Sequence, residues 1–161
     1  MSDSDVDIDP VTEEEKARWP KQPLVELEKP FSDVRGEIQP LVDEMMRSAV
    51  WIESKAGSIR ANHYHKTDWH YCYVVSGAMD YFHRPTGSDQ EPECIRVEAG
   101  SMAFTPPMVD HAMKFPVDCV FLTLGRNYRD QATYEADVVR VEVIDPEGAI
   151  SWKPGDDQSR G

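Results

Sequence analysis

The sequence predicts one all-β domain, a sandwich or barrel, and three observations predict it. From Leu24 onward the chain is a succession of short segments rich in Val, Ile, Tyr, Phe and Trp. Gly, Pro and Asp turns separate them at close intervals, as at Ser32-Asp33, Gly57, Ser76-Gly77, Pro85-Thr86-Gly87, Gly100 and Pro106-Pro107. At 161 residues there is enough chain for one ordinary core and too little to expect two.

Taken in order, residues 1–20 form an acidic arm. Residues 1–10 are acidic, small and poor in large apolar groups, the composition of a disordered stretch. Thr12-Glu13-Glu14-Glu15 has the form of a capping box and Pro20 ends what it starts, so one short helix or frayed arm is expected. Residues 21–145 form the barrel, with candidate strands at 24–28, 36–42, 49–54, 58–65, 69–76, 79–84, 94–97, 102–105, 111–114, 118–124 and 138–144. The tail, 146–161, is polar apart from Ile150 and Trp152, which are placed to cover a sheet edge or a partner.

Charge narrows the partners. Lys and Arg total 17 against 30 Asp and Glu, a net charge of -13, which repels phosphate backbones and anionic membranes. No nucleic-acid or membrane partner is expected. Seven acids fall in Met1–Glu15 with no base among them, so the barrel itself is only mildly acidic. A locally positive pocket around Arg60, Lys66 or Arg126 remains compatible with that. Cys72, Cys94 and Cys119 lack a disulfide framework, and the N-terminus has no basic or apolar leader, so a soluble cytoplasmic protein is expected.

The chemistry lies in the histidines. In a strand, residues two apart share a face about 6.6 Å apart, so His63 and His65 lean onto one point while Tyr64 turns away. The short Lys66-Thr67-Asp68 connection lets the chain reverse and bring His70 alongside on a neighbouring strand. Cys72 and Val74 then follow on the inner face, Cys72 as a small buried thiol, while Tyr71 and Tyr73 face the other way. His111, reached through Gly100, a short strand and the Pro106-Pro107 corner, is expected from the opposite wall. The four converge on one divalent metal ion. His83 lies outside the pattern and reads as surface, and Asp68 as a turn acid with a secondary claim to bind metal or orient His70.

These segments resemble the cupin family. Gly57, five residues, His63-x-His65, four residues, His70, six residues and Gly77 reproduce the first cupin motif, with His70 where the family usually has glutamate. Gly100, Pro106 and His111 match the second, with Met108 in place of its glycine and Phe115 in place of its asparagine. The resemblance implies a jelly-roll barrel with a metal in its mouth and, often, a homodimer. A neutral all-histidine shell favours imidazole-loving ions, so Mn, Fe, Ni, Cu or Zn fits better than Mg or Ca.

Three further segments are similar to sugar-directed cupins. Phe31-Ser-Asp33-Val-Arg35-Gly36 resembles a hairpin of nucleotide-deoxysugar epimerases and isomerases. Arg60-x-x-His63-x-His65-Lys66 resembles a stretch of sugar ketoisomerases and of the C-terminal cupin domain of capsular-polysaccharide enzymes. Tyr134-x-x-Asp137-x-x-Arg140 resembles the ketoisomerase ending. Together they imply a metal-dependent isomerase or epimerase acting on a sugar or sugar nucleotide, a small-molecule substrate. Arg60 is the candidate for a substrate anion, with Tyr134 and Asp68 as candidates for proton transfer. The alternatives are a non-heme metal-dependent dioxygenase of a small organic molecule and a non-catalytic metal- or sugar-binding cupin.

Overall fold

The computed structural model describes residues 6–153 and Asp156. The first five residues of the acidic arm, and the tail beyond Lys153 apart from Asp156, lie outside the described residues.

The arm carries a short helix, α1 (Glu13–Arg18), capped by the Thr12 side chain accepting from the Glu15 amide. A small hairpin follows, β1 (Phe31–Asp33) and β2 (Gly36–Ile38), paired only with itself. The remaining strands are β3 (Ser48–Ser54), β4 (Ile59–His65), β5 (His70–Ser76), β6 (Ala78–Pro85), β7 (Glu93–Glu98), β8 (Met102–Thr105), β9 (Val109–Lys114) and β10 (Cys119–Gly125). A second helix, α2 (Gln131–Asp137), runs directly into β11 (Val138–Arg140). The strands form two antiparallel sheets, ordered β3-β10-β5-β8 and β11-β4-β9-β6-β7. This is the cupin jelly roll.

Two apolar clusters hold it together. Between the sheets, alternate residues such as Val74, Met79, Tyr81, Val97, Phe115 and Phe121 are buried and touch one another. The opposite face of β5 and β8 is also apolar, because Tyr71, Met102 and Phe104 project outward there with Trp69 beside them. Left bare, that face would present a large wet apolar patch. It is covered instead by Trp19, Val25, Leu27, Leu41, Val42 and Met46, so the irregular chain between α1 and β3 serves as a blanket over the four-stranded sheet.

Several expected elements differ. The 24–28 strand reduces to a bridge between Leu24 and Ala103, flanked by the Val25 amide donating to the Met102 carbonyl, which closes the β8 edge. The 36–42 strand stops at Ile38, and the 138–144 strand stops at Arg140, because the amides of Val143 and Ile144 turn to the side chain of Asn62 instead of a ladder. The disorder expected over residues 1–10 does not extend to its end. Asp9 pairs with Arg47 at 3.7 Å, and the Pro10 carbonyl accepts from Arg126 at 3.1 Å. Ile150 does cover a sheet edge, exchanging backbone hydrogen bonds with Gly57 and Ile59. Among the described residues no helix is long and apolar enough to cross a membrane.

Candidate functional site

The four histidines meet, but from different walls than expected. His63 and His111 are direct cross-strand partners on β4 and β9, their ring centroids 4.8 Å apart, and His65 lies 4.7 Å from His63. His111 is therefore on the neighbouring strand, not the opposite wall. His70 is the residue that arrives from across the barrel, on the four-stranded sheet, with its ring 5.6 Å from both His65 and His111. Alternation fixes which face a side chain takes but not which sheet the next strand joins.

The nitrogens fall into two overlapping groups. Those of His63, His65 and His111 lie within 4.8 Å of one another, as do donor atoms of His65, Asp68 and His70. His65 thus belongs to both, while His70 sits beside the first group.

Neighbouring groups fix the tautomers. The Nδ1–H of His65 donates to Asp137 Oδ2 at 3.0 Å, and the Nδ1–H of His111 donates to the Val109 carbonyl at 3.0 Å, which can only accept. A neutral ring held in this way turns a bare Nε2 away from that bond. The His111 Nε2 is buried and has no hydrogen-bond partner. A buried lone pair left unsatisfied costs free energy, and a metal ion is one of the few groups that could satisfy it. Burial and repulsion among the imidazoles push His63 and His70 well below the ordinary histidine value, and push His111 down to about 3. All three rings are neutral at pH 7, the form a metal ligand needs. A carboxylate behind a ligating imidazole is the usual support of such sites. The donor set therefore fits a divalent transition ion at His63, His65 and His111.

Asp137 organises the floor. Its carboxylate accepts from His65, from the amide and hydroxyl of Thr67 at 2.8 and 2.6 Å, and from the Asp68 amide at 3.2 Å. Burial would raise its pKa, but the bonds from His65 and Thr67 outweigh that and hold it below the usual carboxylate value. Asp68, whose amide donates to it, shows the opposite balance. Burial lifts it to about 6 despite the Asn127 amide on its Oδ1, and its Oδ2 stands 4.0 Å from His70.

The cavity above the histidines, about 770 Å³ including its open mouth, is also lined by Arg60, Arg129 and Tyr134. Tyr134 on α2 places its ring 5.9 Å from that of His65, and the Arg129 guanidinium lies over it at 3.9 Å. Burial raises the Tyr134 hydroxyl above its ordinary pKa, so it stays a proton donor. Arg60 reaches the cavity because β4 is bulged. Its register partner is Met113, and that of His63 is His111, with Asn62 unpaired between them. Without the extra residue, strict alternation would point Arg60 outward whenever His63 and His65 pointed inward.

His83, expected at the surface, is instead half-buried as the cross-strand partner of His111, stacked on Tyr81 at 5.3 Å. Cys72 is buried inward as expected, and burial raises its thiol to about 12. Sequence reasoning missed Arg129 altogether, and it met Asp137 only as part of a motif. The usable signal for Asp137 was its place at the end of a short segment capped by Asp130, whose side chain accepts from the Thr133 amide.

No family model and no curated protein matches the chain. Solved structures do. The sugar 3,4-ketoisomerase QdtA from Thermoanaerobacterium thermosaccharolyticum, bound to TDP, matches with a TM-score of 0.60 at 21% identity, over 73% of this chain and 85% of that one. A variant of that enzyme was solved with TDP-4-keto-6-deoxyglucose. The dTDP-4-dehydrorhamnose 3,5-epimerase from Sulfolobus tokodaii matches at 0.53 and 16% identity, over 68% and 78%. The capsular polysaccharide assembling protein CapF from Staphylococcus aureus matches at 0.53 and 22% identity, over 75% of this chain but only 35% of CapF. At these identities the likeness establishes the fold.

Proposed function

We propose that the chain is an isomerase or epimerase of a keto sugar carried on a nucleotide, working at a site where His63, His65 and His111 hold a divalent transition metal. One observation carries the reading. Seven of the nine arginines in the described residues are paired with carboxylates, and the two that are not, Arg60 and Arg129, both line the histidine cavity. In a chain of net charge -13, two uncommitted guanidiniums at one cavity favour an anionic substrate, and a sugar diphosphate meets that need. The solved relatives that bind TDP or act on a dTDP sugar support the same class.

Moving a carbonyl, or inverting the carbon beside it, needs a base, a proton donor and stabilisation of the developing negative oxygen. A bound divalent ion would supply the last as a Lewis acid. His70 is the candidate base. It stands beside the closely spaced trio, keeps a neutral ring at pH 7, and faces Asp68. A ring this strongly desolvated takes up a proton only when charge develops close by, and Asp68 at 4.0 Å would stabilise the imidazolium as it forms. Tyr134 is the candidate donor, its hydroxyl kept protonated by burial. Arg60 and Arg129 would hold the anionic part of the substrate. A homodimer, the oligomer implied by the cupin resemblance, remains part of this reading.

The test is incubation of the purified, metal-analysed protein with TDP-4-keto-6-deoxyglucose, followed by NMR of the sugar. An isomeric keto sugar supports the proposal. Iron at one per chain with oxygen consumption and no isomer would replace it with the oxygenase reading.

A further inference from the structure

We infer that Asn62 is a positioning residue that sets the substrate-anion contact, by holding the β4 bulge that turns Arg60 into the cavity. The inference rests on the anionic-substrate reading above.

Two consecutive residues before His63 have left-handed backbone, Ala61 at φ 68° and Asn62 at φ 57°. A non-glycine residue pays about 1 kcal/mol or more for that conformation, and two in succession persist only where the surroundings fix them. The Asn62 side chain supplies the fixing. Its Oδ1 accepts from the amides of Val143 and Ile144 at 3.0 and 3.1 Å, and its Nδ2 donates to the Ile144 carbonyl at 3.1 Å. The Val141 amide adds a fourth bond, to the Asn62 carbonyl at 3.0 Å. The chain just after β11 thus clamps the bulge, and the clamp is why β11 ends at Arg140.

The consequence appears one residue pair away. With Asn62 unpaired, Arg60 falls opposite Met113, and both line the histidine cavity. The guanidinium is then steadied without an acid, donating to Ser54 Oγ at 2.7 Å and to the Glu53 carbonyl at 2.9 Å. Those are neutral acceptors, so its charge stays available to a ligand. Polar contacts of this kind aim the group and leave its electrostatics uncommitted.

The experiment measures binding of TDP by calorimetry to the full chain and to Arg60→Ala, Asn62→Ala, Asn62→Asp and the Arg60→Ala/Asn62→Ala double variant, with thermal melting alongside. Asn62→Ala should weaken TDP at least tenfold, to the level of Arg60→Ala, and the double variant should be no weaker than either single one. Asn62→Asp keeps the acceptor for Val143 and Ile144 but sets a carboxylate oxygen against the Ile144 carbonyl, so it should recover part of the affinity. A merely structural role would lower the melting temperature without this non-additivity or rescue. Wild-type affinity in a folded Asn62→Ala overturns the positioning role alone. If Asn62→Ala fails to fold, full loss of TDP binding in a folded Asn62→Asp also overturns it. No TDP binding by the wild-type chain overturns the anionic-substrate reading, and Arg60's role with it.

Discussion

Replacing Asp137 by alanine would remove the acceptor of four hydrogen bonds at once: the His65 ring, the Thr67 amide and hydroxyl, and the Asp68 amide. The hydroxyl can rotate to another partner, which leaves three directional N–H donors. A buried donor stripped of its acceptor costs about 1–3 kcal/mol. Water from the adjoining cavity would recover part of that, so the expected loss of folding stability is about 3–5 kcal/mol. The His65 ring would also lose what fixes its tautomer and angle. Loss of such support costs about 10–100-fold in metal affinity, about 1.4–2.8 kcal/mol. Asp137→Asn, which keeps one oxygen but must oppose an N–H with its own NH₂, should lose about half as much stability. Urea denaturation of the metal-free chain gives the first quantity, and competition with a chelator of known zinc affinity gives the second. Asp137→Ala with unchanged zinc affinity and less than 1 kcal/mol of destabilisation, a bound taken from the cost of one stripped donor, would refute the role assigned to the carboxylate.

Acid should destabilise the fold early. His63, His70 and His111 are held neutral, so below pH 6.5 the unfolded chain binds protons that the native one refuses, and stability falls as pH drops toward the folded value of about 3 for His111. Asp68, raised to about 6, works against this between about pH 4 and 6, but as one group against three. Denaturation midpoints from pH 8 to 4 should fall, and a flat profile would argue against buried neutral imidazoles. Gly77→Ala should cost about 3 kcal/mol or more, because Gly77 has φ 78° and a Cβ there would lie 2.1 Å from the Asp118 carbonyl oxygen. Met108 also has positive φ, 60°, so Met108→Gly should gain about 0.5–1 kcal/mol by urea denaturation. Deleting residues 1–10 should lower the melting temperature modestly through loss of the Pro10 and Asp9 contacts, whereas deleting 1–20 should lower it sharply by uncovering Trp69 and Phe104.

Local patterns in the sequence carried the fold and the shared face of His63 and His65 well. His63 and His65 share a face because a strand has period two, and the glycine and proline punctuation placed most strands. Met108 shows what a motif glycine is for, since the residue in its place adopts a backbone that glycine takes freely. Features fixed by distant contacts were not legible. The Asn62 bulge depends on residues about eighty positions later, and α2 is seven residues long with little of its own periodicity. His70 crossed to the other sheet because Lys66–Trp69 spans the gap between sheets, which no pattern within β4 or β5 reveals. Arg129 gains its meaning only from the ring beneath it and the acids it lacks.

Proton movement beside a carbonyl in this cavity is read by incubating the chain with TDP-4-keto-6-deoxyglucose in D₂O and following the sugar protons by NMR. The proposal predicts loss of a proton signal at a carbon next to the carbonyl as deuterium enters from solvent, abolished in His70→Asn while TDP still binds. Binding of the sugar nucleotide without any exchange in the wild-type chain would contradict it.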